Sequence, residues 1–212
     1  MEPYRGYVYC VLGWVIWCTL HSTLISITVT NYAKEVLGRG FQFYRLLYNM
    51  FSLLTFVPLL YYSASLEPEP VFRWHGSLLI IQYFLIAVSV FLFIAGGWSY
   101  SILNFLGIQQ MKTGRESGSL SEQGTFVVSG IHKIVRHPWY LGGMIIVWTG
   151  NVSVLSFIIN IVITAYFIIG TYLEERKLIL EFGDQYREYQ RNVSMFSPYK
   201  WLKAKIVSHP RL

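Results

Sequence analysis

Four ionisable residues stand at the two ends of a long run that contains no acidic or basic residue. Arg136-His137 precede this run, which covers residues 138–173, and Glu174-Glu175 follow it. Charged groups beside so apolar a stretch need partners, because an isolated charge in an apolar medium is strongly disfavoured. Two interpretations are open from these residues alone. One is a structural salt bridge whose arginine reaches towards the membrane surface, and the other is a site that binds a charged ligand.

The run of 36 residues is too long for a single membrane-spanning helix. At about 1.5 Å per residue it would extend about 54 Å, whereas the hydrocarbon core of a bilayer is about 30 Å thick. A turn at Gly150-Asn151 would divide the run into two arms of about 18 residues each, close to the required length. The arms of such a hairpin are antiparallel. The sequence therefore predicts that Glu174-Glu175 return to the same membrane face as Arg136-His137.

The rest of the chain is also built from apolar runs, which cover residues 6–33, 46–66 and 76–111. Hydrophobic residues make up 54% of the 212 residues and charged residues 13%, about half the soluble average of about 25%. We therefore expect one domain, residues 1–212, that forms an all-α integral membrane protein with about five transmembrane helices. These helices are expected at about 7–29, 44–64, 76–100, 138–150 and 152–173, and an amphipathic cytosolic helix at about 174–195.

The basic residues indicate an orientation for this arrangement. With five crossings, two of the 17 Lys and Arg residues (Arg5 and Arg73) lie outside and the other 15 lie on the cytosolic side. Basic residues concentrate in cytoplasmic segments, so we expect the N-terminus outside and the C-terminus in the cytosol. The net charge of +6 is explained by this topology, and no nucleic-acid partner is predicted.

Two smaller polar clusters fall within predicted helices. Arg45 and Asn49 are four residues apart and share a helix face with Tyr48, so they can hold helices together or contact a substrate. His21 in the first helix favours an interhelical hydrogen bond. The sequence has no GxGxxG or Walker motif and no metal-ligand spacing, so neither a dinucleotide domain nor a metal site is predicted. Cys10 and Cys18 are expected to be buried packing thiols.

Longer motifs carry a family resemblance. The stretch GTFVVSGIHKIVRHPWYLGG, followed one hairpin later by YLEERKLILEFGDQYREYQRNVSMFSP, resembles membrane methyltransferases of the isoprenylcysteine carboxyl methyltransferase type. In the N-terminal half, HSTLIS, FYRLLYNMFSLLTFVPLL and FLGIQQ are similar to the bacterial NnrU-like branch, which includes methanethiol S-methyltransferases.

This resemblance implies a bacterial inner-membrane protein that binds S-adenosyl-L-methionine near the cytosolic membrane face without a Rossmann fold. Arg136 would then clamp the cofactor's carboxylate and Glu174 its ribose hydroxyls. The implied cofactor-binding residues are Gln110, Thr125, Phe126, Val127, His132, Arg136, His137, Pro138, Tyr140 and Glu174. The implied catalytic group is Arg136, His137 and Glu175, and the substrate contacts are Arg45, Tyr48, Asn49 and Gly170.

The chain departs from the family pattern at two positions. His132 stands where the family commonly has tyrosine, which affects a cofactor contact, and Gly170 stands where the prenylcysteine enzymes have arginine. The NnrU-like N-terminal half and the absence of that arginine lead us to expect methylation on the sulfur of a small or lipophilic thiol. Carboxyl methylation of a prenylated cysteine is the alternative within the family. An NADPH-dependent sterol-type reductase, which shares an RH-x2-Y-x-G-like signature, and a non-catalytic binding protein on the same scaffold are alternatives of other classes.

Overall fold

The computed structural model describes residues 2–66, 68–98, 106–113, 121–122 and 125–207. Its helices are α1 Glu2–Leu24, α2 Ile27–Leu37, α3 Tyr44–Ser65, α4 Leu78–Trp98, α5 Ile108–Thr113, α6 Pro138–Val147, α7 Val154–Phe182, α8 Asp184–Asn192 and α9 Tyr199–Val207. Two 3-10 turns, Gly38–Phe43 and Gly130–Lys133, and a pair of two-residue strands, β1 Ser121–Glu122 and β2 Thr125–Phe126, complete the described part. The predicted end of the third helix at residue 100 lies outside the described residues, as does the side chain of Thr125.

The described residues contain four helices long and apolar enough to cross a membrane, which confirms the all-α membrane class. They are Tyr4–Leu24, the nearly continuous Ile27–Ser65, Leu78–Trp98 and Val154–Phe182. The other expected helix is present as the apolar α6, whose ten residues extend about 15 Å, half of a hydrocarbon core. The predicted hairpin is present as well, with α6 ending at Val147 and α7 beginning at Val154.

Two boundaries change the predicted order of helices. The first helix ends at Leu24 rather than near residue 29, and α2 begins after Ser26, whose side chain caps it by accepting from the Val29 N–H. The last long helix does not end near residue 173 but continues to Phe182, so it includes the first nine residues of the predicted cytosolic helix. Gly183, with a φ of 56°, ends it, and α8 follows from Asp184. The charges after Leu173 therefore change the environment of the helix and not its backbone.

Glycines allow α6 to pack tightly between α4 and α7. A Cβ on Gly96 of α4 would lie 2.5 Å from the Trp139 ring, and one on Gly143 would lie 2.6 Å from the Phe167 ring. The Ser89 hydroxyl also donates across the α4–α6 contact to the Gly142 carbonyl at 2.9 Å. This packing fixes the start of α6, where the ionisable residues lie.

A second core joins α1, α3 and α7. Cys10, Trp14 and Cys18 of α1 pack against Leu155 and Ile159 of α7. The Sγ of Cys10 is also 3.2 Å from a hydroxyl of α3, that of Ser63. Both cysteines are buried and free, as expected of packing thiols.

Candidate functional site

The predicted meeting of Arg136-His137 with Glu174-Glu175 is confirmed. The Nε of Arg136 donates to the Oε1 of Glu175 at 2.7 Å, and the Nε2 of His137 lies 3.0 Å from the same oxygen. The Nδ1 of His137 lies 3.6 Å from the Oε2 of Glu174. One histidine therefore bridges two neighbouring carboxylates at the start of α6.

The backbone before α6 is held by a segment from the far end of the chain. Val135 forms a parallel bridge with Ser194, the Arg136 N–H donates to the Ser194 carbonyl at 3.0 Å, and the His137 N–H donates to the Met195 carbonyl at 3.2 Å. Pro138 then occupies the first turn of α6, where a missing N–H has no cost. These bonds fix the backbone from which the Arg136 and His137 side chains project.

The guanidinium of Arg136 is used within the protein. Besides Glu175, it donates through Nη1 to the carbonyls of Gln190, at 3.1 Å, and Val193. The side chain is 8% exposed. Arginine is suited to such a role because its donors form a planar fork that serves several acceptors at once.

The two adjacent glutamates have different surroundings. Glu175 is buried and accepts from Arg136, from His137 and from the Nε2 of Gln190 at 2.7 Å. The side chain of Glu174 is 28% exposed and lies beside His137, with the Tyr140 hydroxyl within hydrogen-bonding reach. Glu175 is therefore saturated by the protein, whereas Glu174 is oriented and still accessible.

The histidines on this segment differ in pKa. Burial alone would disfavour the charged form of His137, but hydrogen bonds to Glu174 and Glu175, together with their charges, raise its pKa. Burial and the nearby charge of His137 lower the pKa of His132 to about 4. His132 is therefore neutral near pH 7 and a weak base.

The other predicted cofactor residues lie in several places around this cluster. Phe126 packs with Phe182, Tyr186 and Tyr189 in an aromatic group. The His132 carbonyl accepts from the Tyr189 hydroxyl at 2.6 Å, while Val127 is exposed.

Tyr140 packs edge-on against His137, with 5.5 Å between ring centroids, and lies against Gly170 of α7. A Cβ at Gly170 would be 3.3 Å from Cε1 of Tyr140, so the glycine makes room for this ring. The structure thus places Gly170 at the site, in contact with the Tyr140 ring.

Gln110 lies apart from this group, on α5. Its Nε2 donates to the Phe41 carbonyl at 3.3 Å, and the side chain is buried. Within the described part of the chain, its Oε1 has no hydrogen-bond partner, and the same holds for the buried Tyr186 hydroxyl. Buried polar atoms are nearly always paired, so both are candidates to meet a ligand.

The predicted substrate residues of α3 lie in different contacts. Tyr48 donates or accepts through its hydroxyl at Nε2 of His21, and the Tyr166 hydroxyl of α7 is 2.7 Å from Nδ1 of the same ring. The interhelical hydrogen bond expected of His21 is thus confirmed. Arg45 lies at the start of α3, where a Cβ on Gly107 would be 3.0 Å from its Cβ and Cγ, and Asn49 lies one turn further along α3.

Similarity to known proteins decides the family. A family model described as NnrU protein matches residues 9–207, nearly the whole chain. This chain belongs to the NnrU family. Its membership agrees with the resemblance carried by the N-terminal motifs.

Several curated relatives of this NnrU protein carry one name. It is 42% identical over 76 residues to the methanethiol S-methyltransferase of Pseudomonas deceptionensis, an alignment that covers 35% of this chain and 29% of that protein. It is 32% identical over 144 residues to methanethiol S-methyltransferase 2 of Bradyrhizobium diazoefficiens, which covers 66% and 54% respectively. The alignments thus span from 25% to 54% of these relatives' length. No solved structure matches the chain.

Two side chains that contact the predicted residues were not themselves predicted from the sequence. Gln190 donates to Glu175 at the charged cluster, and Tyr166 lies against His21 in the separate contact between α1, α3 and α7. Gln190 lies in the quoted YREYQ motif, so the motif could have identified it. Tyr166 lies in an apolar helix with no local sign of its role.

Proposed function

We propose that this NnrU protein transfers a methyl group from S-adenosyl-L-methionine to the sulfur of a small thiol, at the cytosolic end of its helices. The observation that carries the proposal is the pair of neighbouring carboxylates with different surroundings. Glu175 anchors the arginine, while Glu174 is held by His137 and Tyr140 and stays partly exposed. The names of the relatives support the reaction class.

The residues present fit the cofactor. A carboxylate accepts strong hydrogen bonds from ribose hydroxyls or from an ammonium group, which suits Glu174. The buried Oε1 of Gln110 is an acceptor that a ligand can satisfy. When bound, the cofactor supplies an electrophilic methyl group on a positively charged sulfur.

The contacts of Arg136 change its proposed role. Its Nε and Nη1 are already bound by Glu175 and by two backbone carbonyls, so we assign Arg136 and Glu175 as positioning residues rather than ligand contacts. They hold His137 and the start of α6, and through them Glu174 and Tyr140. Methyl transfer depends mainly on alignment and exclusion of water, which such rigid support provides.

The thiol must also lose its proton, because the thiolate is the nucleophile and an ordinary thiol has a pKa of about 8.5. His132 is a poor acceptor for that proton, since burial lowers its pKa to about 4. Tyr140 and Arg45 are the candidates to stabilise the thiolate.

The first test is cofactor binding by the purified protein, measured by calorimetry with S-adenosyl-L-methionine. Glu174→Gln should weaken binding about tenfold to more than a hundredfold, because a hydrogen bond to a charged group contributes about 1.5–3 kcal/mol. Glu35→Gln, at an exposed position on α2, is the matched control and should bind normally. Unchanged affinity in a folded Glu174→Gln protein would contradict the proposal, and tight binding of NADPH would favour the reductase.

The second test identifies the product. The protein is incubated with cofactor carrying a deuterated methyl group and with ethanethiol or a farnesylcysteine analogue, and products are analysed by mass spectrometry. We expect deuterated ethyl methyl sulfide. A methyl ester without thioether would assign the alternative carboxyl methylation.

A further inference from the structure

A cavity of about 220 Å³ lies between α1 and α3, away from the charged cluster. Its walls are mostly apolar, with Ile16 and Leu20 from α1 and Phe51 and Leu59 from α3. Trp17 and His21 add ring surfaces. The reaction assigned to the Glu174 site leaves this cavity without a role.

The cavity faces the bilayer. Ile16, Leu20 and Phe51 line it and are also 56%, 45% and 44% exposed on helices that cross the membrane. Surface of this kind on a spanning helix contacts lipid. A guest therefore reaches the cavity from the hydrocarbon core without passing a charged residue in its wall.

The polar groups of His21, Trp17 and Thr55 in the wall are paired within the protein. The buried Ser52 hydroxyl, by contrast, has no hydrogen-bond partner within the described residues. A neutral imidazole has one donor and one acceptor nitrogen, and the Tyr48 and Tyr166 hydroxyls satisfy both for His21. The indole N–H of Trp17 donates to Thr55 Oγ1 at 3.1 Å, and its ring lies 4.9 Å from the His21 ring. The wall presents ring faces and no net charge, which excludes a carboxylate or ammonium guest.

We infer that this cavity binds a small, neutral, lipophilic thiol that enters from the bilayer. Aromatic rings make favourable contacts with divalent sulfur, and the wall supplies three of them in Trp17, His21 and Phe51. The volume limits the guest, because a cavity of about 150 Å³ lined by apolar side chains holds a benzene molecule. An alkanethiol of up to about eight heavy atoms fits, and a farnesyl chain does not.

The cavity is connected to the candidate methyl-donor site by a series of rings. Tyr166, at His21, contacts Phe167 at 5.5 Å between centroids, and Phe167 contacts Tyr140 at 5.9 Å. Tyr140 in turn lies beside His137 and Glu174. Tyr166 precedes Glu174 by eight residues, which is about 12 Å along α7. The assignment of the guest as the methyl acceptor rests on the proposed function, whereas binding in the cavity does not.

Photolabelling tests binding without turnover. The full-length protein in detergent, with no cofactor, is irradiated with a butanethiol that carries a diazirine, and labelled peptides are located by mass spectrometry. We expect labels in α1 and α3 around Trp17 and Phe51, displaced by ethanethiol. Ser52→Leu, which fills the cavity, should reduce labelling at least fivefold, whereas Leu54→Phe, on the lipid-facing side of α3 and outside the cavity, should not.

An enlarged cavity gives a second measurement. Leu59→Ala removes wall atoms and should increase labelling by a longer diazirine thiol such as a decanethiol. Labels confined to other helices, or labelling insensitive to Ser52→Leu, would overturn the inference. Displacement by oleate but not by ethanethiol would identify the occupant as a lipid chain and would also overturn it.

The outcomes separate the two proposals. Labelling in the cavity without any methylated thiol would contradict the proposed function and support the binding site. Thiol methylation with labels elsewhere would support the function and contradict the binding site.

Discussion

The Arg136–Glu175 network and the His21 network both bury polar side chains against α7, yet they differ in charge. In the first, a carboxylate accepts from an arginine, a histidine and a glutamine near the end of α7. In the second, one imidazole lies between two tyrosine hydroxyls about two turns deeper. The charged side chains lie where Gln190 and Val193 supply backbone carbonyls, and the neutral network is formed by side chains of three apolar helices, α1, α3 and α7.

This difference has an energetic consequence. A buried ion that loses its partner retains an uncompensated charge, whereas a neutral hydroxyl that is removed leaves a weaker deficit. The charged network should therefore depend on every member, and the neutral network should tolerate the loss of one.

The largest effect is expected for Glu175→Ala. It leaves the guanidinium of Arg136 buried without its carboxylate, and breaking such a pair typically costs about 3–5 kcal/mol of folding free energy. Stability can be measured by SDS titration of the protein in mixed micelles. The control is Glu69→Ala, which breaks the 2.6 Å pair of Arg73 and Glu69, whose side chains are 60% and 90% exposed respectively. This substitution should have little effect on stability. Equal losses in the two variants would contradict the importance of burial.

An intermediate effect is expected on the pH dependence of stability. The pKa of His132 is about 4 in the folded protein and about 6.5 when unfolded, so the unfolded chain binds more protons between these values. Stability is therefore lost as the pH falls from about 6.5 to 4, by at most about 3 kcal/mol. His137, whose pKa is raised, acts in the opposite direction, and its contribution is lost as the pH rises through its folded pKa.

His132→Gln isolates the first contribution, since His137 is present in both proteins. We expect the thermal midpoint of the variant to fall less than that of the parent protein between pH 6.5 and 4. Identical slopes for the variant and the parent protein would show that His132 is not held neutral by burial.

The smallest effect is expected for Tyr166→Phe. It removes the Tyr166 hydroxyl that bonds to His21 and keeps the phenyl ring of residue 166. Single interhelical hydrogen bonds in membrane proteins average about 0.6 kcal/mol. The same SDS titration measures it, with Tyr172→Phe, an exposed position on α7, as the control. A loss as large as that of Glu175→Ala would remove the contrast between the two networks.

The long helices and the meeting at the charged cluster could be predicted because charge-free runs reflect membrane thickness. The expected helix 44–64 corresponds to Tyr44–Ser65, and the hairpin brought Arg136 to Glu175 as its length required. The interruption after Leu24 was not predicted, because no charge or proline marks it and its cap, Ser26, lies within a charge-free run. It becomes clear only when Lys177, distant in sequence, is seen to donate to the Ile25 carbonyl.

The division of roles within the site also depended on tertiary structure. Glu174 and Glu175 are adjacent in sequence, but successive helical residues point about 100° apart, and only the packing of α8 decides which is covered. Likewise, Tyr166 and His21 are 145 residues apart, and nothing near either residue indicates the other.

Two hydrogen bonds from α7, one to α1 and one to the turn after it, also constrain the order of events during biosynthesis. Tyr166 and Lys177 follow their partners, His21 of α1 and Ile25 in that turn, by 145 and 152 residues. At about 5–20 residues per second, a ribosome needs about 7–30 s to make that length of chain. During this interval His21 can bond only to Tyr48 of α3, and the Ile25 carbonyl has not yet met Lys177. The arrival of α7 in the bilayer is therefore the step that completes the N-terminal half.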